Sequence, residues 1–287
     1  MQRALTLAAM VLALACLWGA VSVPPRFVTP LIWLGALWLP GAALSLPSSV
    51  PRPYRFDAFW MPLGTGPVLL GAGVCLGRLL GLSIPLAALV VVLLGGTALI
   101  WRLWRSSGAP EASASGSSRT WLLPLLLGAV VLLLGIWPAL SHEPLRLRDD
   151  ALLHIPVVQR ILSGSFPPEN PFLAGAPLGY FWFYHVTLAA LAGLTHLPVD
   201  WIPALFNAHA LLLLLLAMDR VARRLGLSPA GRGATLALVG LGLTPWGWMR
   251  LWYIHATHPD INWPLVRASG VSALFPLLSP FDPRLVG

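Results

Sequence analysis

Five stretches of this chain, Ala4 to Val23, Phe27 to Val50, Ala58 to Gly77, Leu79 to Trp101 and Thr120 to Ser141, contain no Asp, Glu, Lys or Arg. Each has about the 20 residues that an α-helix needs to cross ~30 Å of hydrocarbon. Lipid offers no partner for backbone N–H and C=O groups, so apolar runs of this length satisfy their own hydrogen bonds as helices. Only 10% of the residues are charged. A water-soluble domain carries roughly 25%, so this chain could not clothe its surface in water.

The net charge of +8 comes from arginine alone, since the sequence has no lysine. That choice of residue points to a GC-rich bacterial genome. The arginines lie scattered between apolar runs instead of forming a patch. They therefore read as topology signals and exclude a nucleic-acid footprint. Cys16 and Cys75 both sit inside apolar runs, which argues against a disulfide framework or a zinc site. The N-terminus, Met1-Gln2-Arg3 before an apolar run, has the outline of a signal peptide, with a poor lipobox at Ala13-Leu14-Ala15-Cys16. A second run follows almost at once, so an uncleaved first helix is expected.

Positive charge in cytoplasmic loops fixes a path. Arg3 holds the N-terminus in the cytoplasm. Crossings at Ala4–Val23, Phe27–Leu46, Trp60–Leu80 and Ser83–Trp104 then keep Arg52, Arg55, Arg102, Arg105 and Arg119 inside. This defines a four-helix N-terminal unit over residues 1–105. A Ser/Ala/Gly-rich cytoplasmic linker over 106–119 follows, and then a core over 120–287. Thr120–Ser141 exits, leaving residues 142–200 outside. If both Tyr180–Leu197 and Trp201–Met218 crossed, Arg220, Arg223, Arg224 and Arg232 would be external. The first is short, contains His185 and His196, and begins with an aromatic cluster suited to the membrane interface. Residues 180–197 are therefore expected to lie as an interfacial helix on the outer leaflet, while Trp201–Met218 enters and Ala234–Tyr253 exits. The expected fold is an all-α integral membrane protein of about seven transmembrane helices, with interfacial helices in the long outer loop 142–200.

Within that loop, Asp149 or Asp150 can cap a short amphipathic helix whose apolar side includes Leu152, Leu153, Ile155, Val157, Val158, Ile161 and Leu162. Ser163-Gly164 ends it, and Pro167, Pro168 and Pro171 force an extended path. One cap needs a single carboxylate, so the second aspartate is open to a role as general base or metal ligand. His154 lies four residues from Asp150, on the same helical face. Arg146 and Arg148 can hold a phosphate, or serve as snorkelling anchors. Further on, His255, His258 and Asp260 have partial metal-ligand spacing, with a polar loop as the plainer reading.

Several motifs together carry a resemblance. The external acidic pair is followed by a surface helix, then Phe166-Pro167-Pro168-Glu169-Asn170-Pro171, Ala174-Gly175 and Tyr180-Phe181-Trp182-Phe183-Tyr184-His185. Residues 120–285 resemble the GT-C superfamily of polytopic membrane glycosyltransferases, and most of all the uncharacterised YYY group of bacterial and archaeal membrane proteins. The resemblance implies transfer of a sugar from a polyprenyl-phosphate-linked donor to an acceptor on the extracytoplasmic face of a bacterial plasma membrane. By position it implies Asp150 or Asp149 as catalytic, with His154 beside them. Arg146, Arg148, Tyr180, Tyr184, His185 and Asp282 are candidates for substrate contact, and a divalent metal ion is a candidate cofactor. GT-C enzymes usually continue with further spans, so a second membrane subunit is a candidate partner, besides the bilayer and the lipid-linked donor.

The rival reading is a polytopic transporter or a lipid-handling or assembly protein without chemistry. Transporters place ionisable groups near the bilayer midplane and show repeated halves. Here the apolar runs hold little beyond Arg78, His209 and Asp219, and no internal repeat is evident. His-Glu-x-x-His and Gly-x-Ser-x-Gly are both absent, which argues against a membrane protease.

Overall fold

The structure is a computed structural model and describes residues 2–45, 55–105, 151–173, 175–179 and 182–240. Among these residues the regular structure is entirely helical: α1 Gln2–Val21, α2 Thr29–Ser45, α3 Arg55–Leu79, α4 Ile84–Arg105, α5 Ala151–Leu162, α6 Phe183–Thr195, α7 Trp201–Arg224 and α8 Pro229–Gly240. Three segments are long and apolar enough to cross a membrane: Trp60–Leu79 within α3, Ile84–Arg105 and Trp201–Arg224. The apolar parts of α1 and α2, Leu5–Val21 and Thr29–Leu44, are shorter. The expected crossings at 120–141 and 241–253 lie outside the described residues.

The described residues divide into two units. One comprises α1 to α4 with residues 152–202, and the other comprises residues 203–240. The sequence placed 152–202 with the C-terminal core. The structure instead groups α5 and α6 with the N-terminal helices.

In the first unit α1 to α4 run up and down. Lipid tails are as apolar as leucine, so apolar matter gains little by leaving them and helices associate chiefly by close packing at small residues. That is how these helices meet. A Cβ at Gly41 would overlap the Pro62 carbonyl, and one at Gly66 the Leu37 carbonyl, which brings α2 and α3 almost backbone to backbone. Gly95 of α4 sits against Leu39 and Pro40 of α2, and Gly35 of α2 against Cys16 of α1. At one end of the bundle Arg102 of α4 donates to the Ala43 carbonyl in the last turn of α2, satisfying an acceptor that the ending helix leaves over.

α6, expected as an interfacial helix, is packed against the bundle. It is thirteen residues long, about 20 Å at 1.5 Å per residue, too short to cross ~30 Å of hydrocarbon. It does not float half-exposed either. Ten of its residues, from His185 to Thr195 except Gly193, are buried, and it packs on all four helices of the bundle. Thr187 donates to the Pro67 carbonyl of α3 at 3.3 Å, and the ring of Phe183 and the hydroxyl of Thr187 crowd Gly71. Gly193 meets Pro85 of α4, and Leu194 meets Gly19 of α1. The reason is compositional: Phe183-Tyr-His-Val-Thr-Leu-Ala-Ala-Leu-Ala-Gly-Leu-Thr195 has no charged side chain to keep in water, and its alanines and glycine admit close neighbours.

The second unit contains α7 from Pro203 onward and α8. Asp219, only 3% exposed, joins these two helices. It accepts from Arg223 one turn along α7 and from Arg232 of α8 at 2.9 and 2.6 Å.

Candidate functional site

α5 covers Ala151–Leu162; the aspartates expected to cap it lie outside the described residues. Its stop is a Schellman turn: Ser165 N–H bonds the Arg160 carbonyl at 3.0 Å and Gly164 N–H the Ile161 carbonyl at 3.1 Å. Gly164 takes φ +101° there, a conformation that costs a residue with a Cβ but not glycine. Val157, Val158 and Ile161 are fully buried, in line with the apolar side read from the sequence.

α5 and α6 run side by side in the same direction. Near one end Leu162 lies against Gly193, and near the other His154 lies against His185. His154 Nδ1 and His185 Nε2 are 2.6 Å apart, with ring centroids 4.9 Å apart. The ring of Tyr184 stands edge-on to both, 6.3 Å from His154 and 5.4 Å from His185. His185 is fully buried and His154 is 8% exposed. Burial first, and the adjacent charge of a protonated His154 second, push His185 down to about 4, so that it is neutral at physiological pH. Burial likewise pushes the Tyr184 phenol up, which keeps it protonated. One imidazole therefore donates and the other accepts, and either tautomer pair satisfies the contact. Such a pair can hold or pass one proton, since a second would place two positive charges in a buried space.

The loop between α5 and α6 is fastened to α3. Arg78, at the end of α3, donates through Nη1 to the Leu82 carbonyl and through Nη2 to the Gly164 carbonyl, both at 2.8 Å. Its guanidinium lies 6.0 Å from the centre of the Phe166 ring, and Phe166 packs edge-on against Trp182 at 5.3 Å. Glu169 and Pro177 form a bridge, and Asn170 Oδ1 accepts from Phe172 N–H at 2.9 Å. The loop is thus a short closed hairpin, tied to one span by an arginine.

Of the residues singled out from the sequence, the structure brings together His154, Tyr184 and His185. Asp149, Asp150, Arg146, Arg148, Tyr180, Asp282, His255, His258 and Asp260 lie outside the described residues. Arg78 was read from sequence only as an ionisable group in a span; its role as the loop's clamp depends on a carbonyl 86 residues away. The signal that could have marked it is its place in the last turn of a span, three residues before Gly81. Thr187 was missed altogether, because a threonine in an apolar helix carries no pattern of its own.

Among the described residues no three His, Cys, Asp or Glu side chains come together. His154 and His185 supply two nitrogens where a metal centre takes at least three protein ligands, and those nitrogens are hydrogen-bonded to one another. These residues do not fit a metal site.

The chain matches no protein-family model, no curated protein and no solved structure. Composition and the helices among the described residues, three of them long and apolar enough to span, define a membrane-associated protein that is all-helical over those residues.

Proposed function

We propose that the chain is a membrane glycosyltransferase of the GT-C kind. In this reading it crosses a bacterial plasma membrane seven times, with its N-terminus in the cytoplasm. It transfers a sugar from a polyprenyl-phosphate-linked donor to an acceptor on the extracytoplasmic face. The observation that carries the reading is the contact between His154 and His185. His154 follows the acidic pair, and His185 closes the aromatic motif. The two segments on which the resemblance rests thus meet in one buried polar cluster, and such clusters within membrane bundles are expensive and usually functional.

In the reaction the acceptor hydroxyl attacks the sugar's anomeric carbon as the bond from that carbon to the phosphate oxygen breaks. Asp150, or Asp149 in its place, takes the hydroxyl proton, and polyprenyl phosphate departs with the bonding pair. Arg146 and Arg148 offset the charge that develops on the phosphate. His154, one turn beyond Asp150, can accept the proton and share it with His185, returning the carboxylate to its basic form.

A transporter or lipid-handling protein could use the same histidine pair to bind a proton without chemistry. The two readings part in a transfer assay. The reconstituted protein is given undecaprenyl phosphate charged with one radiolabelled sugar at a time, together with membrane extract as the source of acceptor. The proposal expects label to leave the lipid fraction. Loss of the general base in Asp150→Asn slows this by roughly 10²–10⁴-fold. Transfer unaffected by Asp150→Asn and Asp149→Asn together would contradict it.

A further inference from the structure

The hairpin between α5 and α6 ends in two large apolar side chains that stand exposed: Phe172 is 65% exposed and Leu173 is 61% exposed. We infer that this tip is a membrane anchor, sunk in the acyl layer of the leaflet surrounding that end of α3. The inference rests on the membrane character of the chain and not on sugar transfer.

Three independent features point to lipid as the occupant. The first is where the hairpin starts and returns. It leaves α5 at Gly164, held by Arg78 in the last turn of α3. It re-enters at Phe183, whose ring crowds Gly71 of the same helix. Seven residues of helix separate these positions, about 10 Å at 1.5 Å per residue. The loop therefore begins at the end of a span and returns to the same helix about two turns further in, so both of its ends are held against that span.

The second is the backbone. A segment can enter lipid only if its polar backbone groups have partners. Pro167, Pro168, Pro171 and Pro177 have no N–H to satisfy. The N–H groups of Asn170, Leu173, Ala176 and Leu178 bond the carbonyls of Ala176, Asn170, Leu173 and Pro168, at 2.9 to 3.2 Å. Those of Glu169 and Phe172 bond the side chains of Ser165 and Asn170. These bonds leave few free N–H groups on the hairpin, which lowers the cost of placing it against acyl chains.

The third is charge. From Ser163 to Val199 the sole charged side chain is Glu169. It sits on the stem, opposite Pro177, where it can reach the headgroups while the tip descends. A soluble partner would have almost nothing polar to recognise here, whereas an acyl layer requires nothing polar.

The test places single nitroxide-labelled cysteines at positions 169, 172 and 173, in a Cys16→Ala/Cys75→Ala background reconstituted in phosphatidylcholine–phosphatidylglycerol vesicles. Relaxation by oxygen, which concentrates in lipid, is compared with relaxation by a water-soluble nickel complex. The inference expects the 172 and 173 labels to favour oxygen several-fold over the 169 label. Nickel accessibility at 172 and 173 equal to that at 169 would overturn it, and so would protection from both reagents, which means burial against protein. Hydroxyl-radical footprinting of the unmodified protein in the same vesicles gives a readout free of substitutions. It should leave Phe172 and Leu173 unoxidised, and they should become reactive when the vesicles are replaced by a short polar-headed detergent. Oxidation of both in intact vesicles would also overturn the inference.

Discussion

His154 Nδ1 and His185 Nε2 lie 2.6 Å apart, on two helices joined by a loop of twenty residues. Neither residue is at the surface, so each depends on the other for part of its hydrogen bonding. Replacing His185 by Leu removes one side of the contact from a buried donor or acceptor, a loss of ~1–3 kcal/mol. The double variant His154→Leu/His185→Leu is expected to cost less than the sum of the two single changes, with a coupling of ~0.5–3 kcal/mol. Thermal unfolding of the four proteins in one detergent measures this; simple additivity would mean that the contact contributes nothing.

The same pair gives stability a pH dependence. His185 is held below the ordinary imidazole value, to about 4, whereas in the unfolded chain it titrates near ~6.5. Between those values the unfolded state binds the extra proton, so stability falls as pH falls. The wild type should therefore lose Tm progressively from about pH 6.5 to about pH 4, and His185→Leu should flatten that part of the profile. An equal slope in both proteins would remove His185 as the cause.

Two glycines two residues apart, on opposite faces of α3, should respond in opposite directions. Gly66 is buried against the Leu37 carbonyl, while a Cβ at Gly64 would meet nothing within 4 Å. Gly64→Ala gains helix propensity worth ~0.5–1 kcal/mol and should leave Tm unchanged or raised. Gly66→Ala must push α2 and α3 apart and should cost ~1–3 kcal/mol. Matching effects would mean that the close approach of these helices is not what holds the bundle.

Asp219 should matter more than either arginine that it binds. It is 4% exposed at its side chain, and Arg232 is 12% exposed. Asp219→Asn leaves a mostly buried guanidinium without its charge partner, a loss of up to ~3 kcal/mol. Arg223, 36% exposed, should cost about 1 kcal/mol or less when changed to Ala. Denaturation midpoints of the two variants, compared at low and high salt, read this order directly.

The sequence made the membrane character and the helices legible because length, apolarity and missing charge are local properties. α3, α4 and α7 lie where the uncharged runs predicted. α5 stops where Ser163-Gly164 said it would, since a left-handed C-cap is written in a single residue. The packing of α6 was not legible. Its aromatic start and its histidines suggest an interfacial helix, and only tertiary contact shows Thr187 bonded to Pro67 and Leu194 set against Gly19. The site was half legible: His154, Tyr184 and His185 were each picked out, but from separate patterns, and nothing in the spacing said that the two imidazoles touch. Arg78 was noticed only as a charge out of place, because its partner at Gly164 is remote in sequence.

The most direct test of the functional account is native mass spectrometry of the detergent-purified wild type beside a variant carrying Asp149→Asn, Asp150→Asn and Arg148→Ala. It requires no knowledge of the acceptor. The account predicts a co-purified polyprenyl-phosphate lipid on the wild type that weakens or disappears in the variant. A wild type free of such lipid, taken from membranes shown to contain it, would contradict a GT-C donor site at this loop.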